Sequence, residues 1–303
     1  MTRDDLPGAV PERPAWVPAD LYPFTDRYLE VDGNLVHYVD EGTGPSLLFL
    51  HGNPTWSFLY RDVIAGLRGH FRCVALDYPG FGLSRARPGY DFTPREHAGV
   101  VEGFIEKLDL SDLVVAVHDW GGPIGLWAAG RHPARIRGLV ISNTWAWPSD
   151  DAVKRWFSVI MGGPVGRALI RRLNVFVNAF IPGAMRTRRL DRRALLAYRG
   201  PFPDARSRTP IFVLPQQITA GRDFLREVED GMPSLADRPA LIVWAEADAG
   251  FRADARRRLE AAFPGHRTVT LPRAGHYLQE EAPGAIVTAI QAWWAETQEP
   301  PVR

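Results

Sequence analysis

The run Leu113-Val114-Val115-Ala116-Val117-His118-Asp119-Trp120-Gly121-Gly122-Pro123-Ile124-Gly125 decides the fold. Its apolar, largely β-branched start reads as a strand buried on both faces, the mark of a parallel sheet. The strand stops at a carboxylate, and a helical pattern begins almost at once with Ile124, Leu126, Trp127, Ala128 and Ala129. The glycines let backbones approach closely where the chain must turn sharply from strand to helix. Read alone, Asp119 suits a helix N-cap as well as a chemical role, because a short carboxylate bonds the free N–H groups of a first turn.

Working outward, strand patterns recur at Ser46–Leu50, Phe71–Leu76, Ile136–Ser142, Ala240–Trp244 and Thr268–Leu271. Helical patterns lie between them, a helix ending near Arg68, then Thr93–Leu108 and Arg252–Ala262, and Pro283–Ala295 reads as a closing helix. Thr93 reads as an N-cap with Pro94 at the first helical position. Such alternation argues for an α/β fold with a mostly parallel central sheet flanked by helices. Ahead of it, Tyr28–Val31 and Leu35–Glu41 read as a hairpin across Asp32-Gly33-Asn34. Residues 1–26, with Pro7, Pro11, Pro14, Pro18 and Pro23, read as an extended lead-in. Between 149 and 233 the strand rhythm gives way to short helical pieces broken by Gly-Pro pairs. The expected organisation is a core of residues 1–148 and 234–303 with a helical cap, 149–233, inserted after the strand that follows the Asp119 helix.

Composition narrows the function. Of 303 residues 46% are hydrophobic, ample for a sizeable core. Lys and Arg number 36 against 35 Asp and Glu, and a net +1 suggests neither a nucleic-acid nor a membrane partner. Cys73 is the only cysteine, which leaves no intramolecular disulfide and disfavours a cysteine metal site. No 18-residue apolar run and no N-terminal apolar segment occur, so a soluble cytoplasmic protein is expected. No phosphate-binding glycine motif is present, and no cysteine cluster that could bind a metal, so neither a cofactor nor a metal is expected. Arg186, Arg188, Arg189, Arg192 and Arg193 form a basic cluster that could meet an acidic partner, although such runs are commonly solvated helix faces.

Ligands of open α/β sheets bind beyond the carboxyl ends of the strands. Four polar signals fall there: Asp119, His51-Gly52-Asn53-Pro54, Asp248 after Leu241-Ile242-Val243-Trp244, and His276 in Gly275-His276-Tyr277. The order carboxylate, acid, histidine is that of a nucleophile–acid–base triad on a strand–turn–helix elbow, with Asp119 where the G-x-S-x-G motif carries serine.

These residues resemble the haloalkane dehalogenases of the α/β-hydrolase superfamily. The resemblance rests on His51-Gly52-Asn53-Pro54-Thr55-Trp56, Asp77-Tyr78-Pro79-Gly80-Phe81-Gly82, His118-Asp119-Trp120-Gly121-Gly122 and Gly275-His276, and it runs over nearly the whole chain. Met161-Gly162-Gly163-Pro164-Val165-Gly166 and Asn143-Thr144-Trp145-Ala146-Trp147-Pro148 look most like the family's third subfamily, which also implies self-association as a homo-oligomer.

The resemblance implies hydrolysis of small apolar haloalkanes to a primary alcohol, halide and a proton through an aspartyl ester. A carboxylate is ionised at neutral pH and needs no base to attack carbon. Asn53 and Trp120 would bind the halide, the amide offering two donors and the indole one, and their backbone N–H groups would form the oxyanion hole. His276 would activate water, oriented by Asp248. In a second group of these enzymes the acid sits after the next strand, where this chain has Asn143. Asp248 departs from the family's Trp-Gly-x-x-Asp-Pro, with Ala245 and Ala249 in the Gly and Pro places, and Glu246 is the other candidate. Trp145, Trp147, Trp156, Phe157, Phe176 and Phe180 are candidates for an apolar pocket wall, and His118 is expected to pack under the elbow. An epoxide hydrolase using the same aspartate is the alternative, but it would bring two cap tyrosines, and only Tyr198 lies between Ser149 and Met232. A haloacetate dehalogenase would place arginines near the nucleophile, where Trp120 and Ile124 stand. A non-catalytic binding protein on this fold would have lost a triad member, and all three are present.

Overall fold

A computed structural model describes residues 11–298, so Pro7 and the rest of the first ten residues of the lead-in lie outside the described residues. Eight strands form one sheet in the order β1-β2-β4-β3-β5-β6-β7-β8. β1 (Arg27–Val31) and β2 (Asn34–Glu41) form the expected hairpin, its two-residue turn made by Asp32 and Gly33, both at positive φ. β2 pairs antiparallel with β4 (Arg72–Leu76). From there β3 (Ser46–Leu50), β5 (Leu113–Asp119), β6 (Ile136–Thr144), β7 (Ala240–Ala245) and β8 (His266–Leu271) run parallel. β3, β5, β6 and β7 are buried along nearly their whole length, which is why their sequences are continuous apolar runs.

The helices α1 (Arg61–Leu67), α2 (Pro94–Lys107), α3 (Gly121–Arg131) and α10 (Ala253–Ala262) cross between strands, and α12 (Pro283–Gln298) follows the last strand. Thr93 caps α2 as read, its side chain accepting from the Glu96 N–H. α11 (Leu278–Glu281) is a single turn too short to leave a periodic signal. Between β6 and β7 lie only helices: α4 (Ala152–Gly162), α5 (Pro164–Leu173), a π-helical turn (Phe176–Phe180) running into α6 (Ile181–Ala184), α7 (Arg192–Arg199), α8 (Thr209–Ala220) and α9 (Arg222–Gly231).

This block is tied to the sheet side at buried points. Trp56 Nε1 donates to Ala197 O over 3.2 Å, and Tyr198 Oη donates to Glu280 Oε1 over 2.6 Å. Glu280 in turn accepts from both terminal guanidinium nitrogens of Arg61, at 2.5 and 2.8 Å. A carboxylate with no solvent exposure needs such partners, because an unpaired buried charge is very costly. Among the described residues no helix is long and apolar enough to cross a membrane.

Candidate active site

β6 runs two residues past its expected end, through Asn143 and Thr144, and both serve the site. Thr144 Oγ1 donates to the Asp119 carbonyl over 2.5 Å, holding the turn that follows β5. Asp119 sits at φ 50°, the left-handed region that non-glycine residues adopt only under constraint. Gly121 and Gly122 make that turn possible: a Cβ on the first would overlap the Leu50 carbonyl, and on the second the Thr144 side chain. Trp120 holds the N-cap position of α3 without a side-chain bond, so the N-cap reading of Asp119 does not describe the turn.

The Asp119 carboxylate instead faces a cavity of about 600 Å³ beyond the strand ends. Its Oδ1 accepts the Asn53 backbone N–H at 2.8 Å, and its Oδ2 lies 3.9 Å from His276 Nε2. On the far side of the imidazole, Nδ1 donates to Asp248 Oδ2 at 2.9 Å. All five predicted residues, Asp119, His276, Asp248, Asn53 and Trp120, line this one cavity. Glu246 is exposed at the end of β7 and has no hydrogen bond to His276 among the described residues.

The electrostatics follow from burial and partners. Burial pushes the Asp119 carboxyl above its ordinary value, against the pull of His276 and the backbone N–H groups of Trp120 and Asn53. Burial also raises Asp248, but His276, the Gly250 N–H and the Asn143 amide outweigh it and hold that carboxyl below the usual range. For His276 burial disfavours the cation, yet Asp248 and Asp119 together raise its pKa.

Asn143 is the residue that reading the sequence undervalued. Its Nδ2 donates to Asp248 Oδ2 at 2.9 Å and to Ala245 O at 3.0 Å, and its Oδ1 accepts the Ala245 N–H at 2.8 Å. The signal was its place directly after the apolar run Leu139–Ile141 and Ser142 of β6, one strand from Asp248. His118 packs under the turn as expected and also donates from Nε2 to the His276 carbonyl, at 2.9 Å. Burial pushes its pKa down to about 3, so it stays neutral.

The Asn53 amide departs from expectation. One of its two N–H bonds is spent on Ile211 O at 3.1 Å, and a single side-chain donor is left over. Of the six aromatic candidates, Trp145, Phe157, Phe176 and Phe180 line the cavity. Trp147 is buried elsewhere, under the Arg258 guanidinium, and Trp156 points outward, 66% exposed. Phe251, not anticipated, stacks on the His276 ring with centroids 5.6 Å apart. Tyr198 lies outside the cavity lining, its hydroxyl bonded to Glu280.

A carboxylate held on a strained strand–helix turn, a histidine–aspartate pair facing it, and backbone donors from a neighbouring strand end define an α/β-hydrolase. Residues 45–283 match the alpha/beta hydrolase fold family. The chain is 43% identical over 273 residues to haloalkane dehalogenase 2 of Mycobacterium tuberculosis strain H37Rv, covering 89% of this chain and 95% of that one. It is 32% identical over 293 residues to a cis-3-alkyl-4-alkyloxetan-2-one decarboxylase of Xanthomonas campestris pv. campestris, covering 90% and 96%. The crystal structure of haloalkane dehalogenase DbeA from Bradyrhizobium elkani superimposes with a TM-score of 0.84 at 26% identity, covering 91% and 99%. Within the α/β-hydrolases this chain belongs to the haloalkane dehalogenases, hydrolases that act on carbon–halide bonds.

Proposed function

We propose that Asp119 is the nucleophile, His276 the base, Asp248 its orienting acid, and Trp120 with Asn53 the halide site. One Asp119 oxygen attacks the halogen-bearing carbon, and the halide departs with the bonding pair toward the Trp120 indole N–H and the free Asn53 amide N–H. Fixed donors in a water-poor cavity stabilise that anion far better than bulk water would. His276 Nε2 then takes a proton from water, and the hydroxide adds to the ester carbon. The backbone N–H groups of Asn53 and Trp120 hold the oxyanion; collapse expels the alkoxide, which takes the carboxyl proton to leave as a primary alcohol, and the proton on His276 passes to solvent. Residues 149–233 act as a cap over the strand ends, closing the cavity on the single core formed by residues 1–148 and 234–303. A cytoplasmic setting goes with this reading, since the lone Cys73 is a buried free thiol.

One observation carries the assignment: Asn53 N–H lies 2.8 Å from one Asp119 oxygen while His276 Nε2 faces the other from 3.9 Å. The same carboxylate thus meets its oxyanion donor on one side and its base on the other. The raised pKa of Asp119 adds a condition, because attack requires the ionised form.

The test is product release from 1-bromobutane, 1,2-dibromoethane, styrene oxide, fluoroacetate and a dialkyl oxetan-2-one, run beside Asp119→Ala. Bromide from both bromides, absent in Asp119→Ala, is the expected result. Diol from styrene oxide, or carbon dioxide from the oxetanone, without bromide from the bromides would overturn it.

A further inference from the structure

A surface helix normally turns polar residues outward. α4 does the reverse: Val153, Trp156 and Ile160 form an outward stripe, exposed by 65%, 66% and 51%. The opposite side of the helix, with Ser158 and Met161, is buried, and Ser158 Oγ donates to Pro215 O of α8. Val165, Leu169 and Leu173 continue an exposed apolar row on α5, which follows α4 after a single residue. Contiguous exposed apolar surface of this kind marks an interaction site.

The charge around it is one-sided. Residues 152–200 hold eleven of the chain's 36 Lys and Arg but only Asp191 among its 35 Asp and Glu. The near-neutral whole-chain sum, which argues against a membrane partner, conceals this segregation. Arg155, Arg167, Arg171, Arg172, Arg188 and Arg189 are exposed, and none pairs with a carboxylate among the described residues. Apolar side chains with an exposed tryptophan, interleaved with cations, are what an anionic lipid surface binds. A second copy meeting this face symmetrically would oppose the unpaired Arg155, Arg167, Arg171 and Arg172 to the same four arginines, a like-charge contact that disfavours association. Val153 and Phe180 are both exposed and line the active-site cavity, so its mouth opens on this same side.

We propose that the outer face of α4 and α5 docks the protein on anionic phospholipid bilayers with the cavity mouth against the membrane. The apolar side chains enter the headgroup boundary and the arginines meet the lipid phosphates. The advantage of that placement rests on the functional reading above, since an apolar haloalkane concentrates in the bilayer. The docking itself does not, and it is measured without turnover.

The test is co-sedimentation of the full chain with phosphatidylcholine vesicles, with and without about 30% phosphatidylglycerol. Binding is expected to the anionic vesicles only, and it weakens as salt rises from about 0.05 to about 0.5 M. Trp156→Asp with Ile160→Asp, and separately Arg171→Glu with Arg172→Glu, each lower the apparent affinity about tenfold or more. These four side chains lie outside the cavity, so turnover of 1-bromobutane in vesicle-free buffer stays at the level of the unmodified protein and shows that the variants fold. Absence of vesicle binding, or binding that both double variants leave unchanged, overturns the proposal. So does a dimer, seen by light scattering, that Trp156→Asp with Ile160→Asp converts to monomer without any vesicle binding. Vesicle binding by a protein that releases no halide would instead refute the functional reading alone.

Discussion

Asp248→Asn separates the two halves of the proposed reaction. In the folded protein Asp248 Oδ2 accepts from His276 Nδ1 and Asn143 Nδ2, each at 2.9 Å, while Oδ1 accepts the Gly250 N–H at 2.7 Å. An asparagine can keep its oxygen toward His276 and Asn143, which places its NH2 against the Gly250 N–H. The imidazole tautomer survives that exchange, but the negative charge beside it is gone. The charge matters when His276 has taken a proton from water. A charge-assisted hydrogen bond exceeds a neutral one by about 1–2 kcal/mol. An ion pair at about 4 Å near the surface is worth up to about 4 kcal/mol. Loss of about 2–4 kcal/mol corresponds to ester hydrolysis slowed by about 30- to 1000-fold.

Attack by Asp119 requires no base, so the first step stays fast. Rapid-quench kinetics with 1-bromobutane should show a burst of one bromide per active site followed by a slow steady rate. Intact-mass analysis during the slow phase should find one butyl group on the protein, carried by Asp119. Steady-state turnover within about twofold of the unmodified enzyme, with no trapped ester, would refute the reasoning.

Trp120→Phe keeps an aromatic ring but removes the indole donor. Halide affinity, read by isothermal titration with bromide, should fall about 10- to 100-fold, the worth of one hydrogen bond to a charged acceptor. Proton abstraction by His276 needs the neutral imidazole, whose pKa Asp248 holds above the usual 6.5. The hydrolysis step should therefore fail as pH drops through that raised value, and the limb should move to lower pH in Asp248→Asn. Glu280→Ala strips both the Arg61 guanidinium and the Tyr198 hydroxyl of their buried partner, and urea unfolding should register a loss of about 3–5 kcal/mol. Asp26 is held down to about 2, burial being outweighed by His37 and Arg13. A carboxyl lowered in the folded state stabilises above its unfolded pKa and ceases to do so as pH falls through the folded value. Asp26→Asn should thus lower stability at pH 7 by about 2 kcal/mol, with the deficit closing between pH about 4 and about 2 in a pH series of urea melts.

The parallel strands and the turn at Asp119 were legible because each imposes a local demand. Leu113–Val117 must be apolar on both faces, and Gly121 and Gly122 have no room for a Cβ beside Leu50 and Thr144. Asp119, Asp248 and His276 could be read for the same reason, each following a strand end in order. What escaped depends on partners far apart in the chain. Asn143 meets Asp248 across 105 positions, and Asn53 spends an N–H on Ile211 across 158. No periodicity encodes such pairings. Trp156 was misplaced for a further reason: an apolar residue at helical spacing is assumed to face inward, and on α4 the outward stripe is apolar as well.

The ties between the helical block and the sheet side are unevenly spread. Trp56 to Ala197, Asn53 to Ile211 and Tyr198 to Glu280 fasten α7 and the start of α8, and the His276 N–H bonds Ala184 O at the end of α6. α4 and α5 pack chiefly on α8 and on each other. Opening the whole block like a hinged shell would sever several buried bonds together, so traffic of reactant and alcohol falls to breathing of the α4–α5 hairpin alone. Exchange rates in this enzyme should accordingly respond to stapling that hairpin onto α8 and be indifferent to bracing α7.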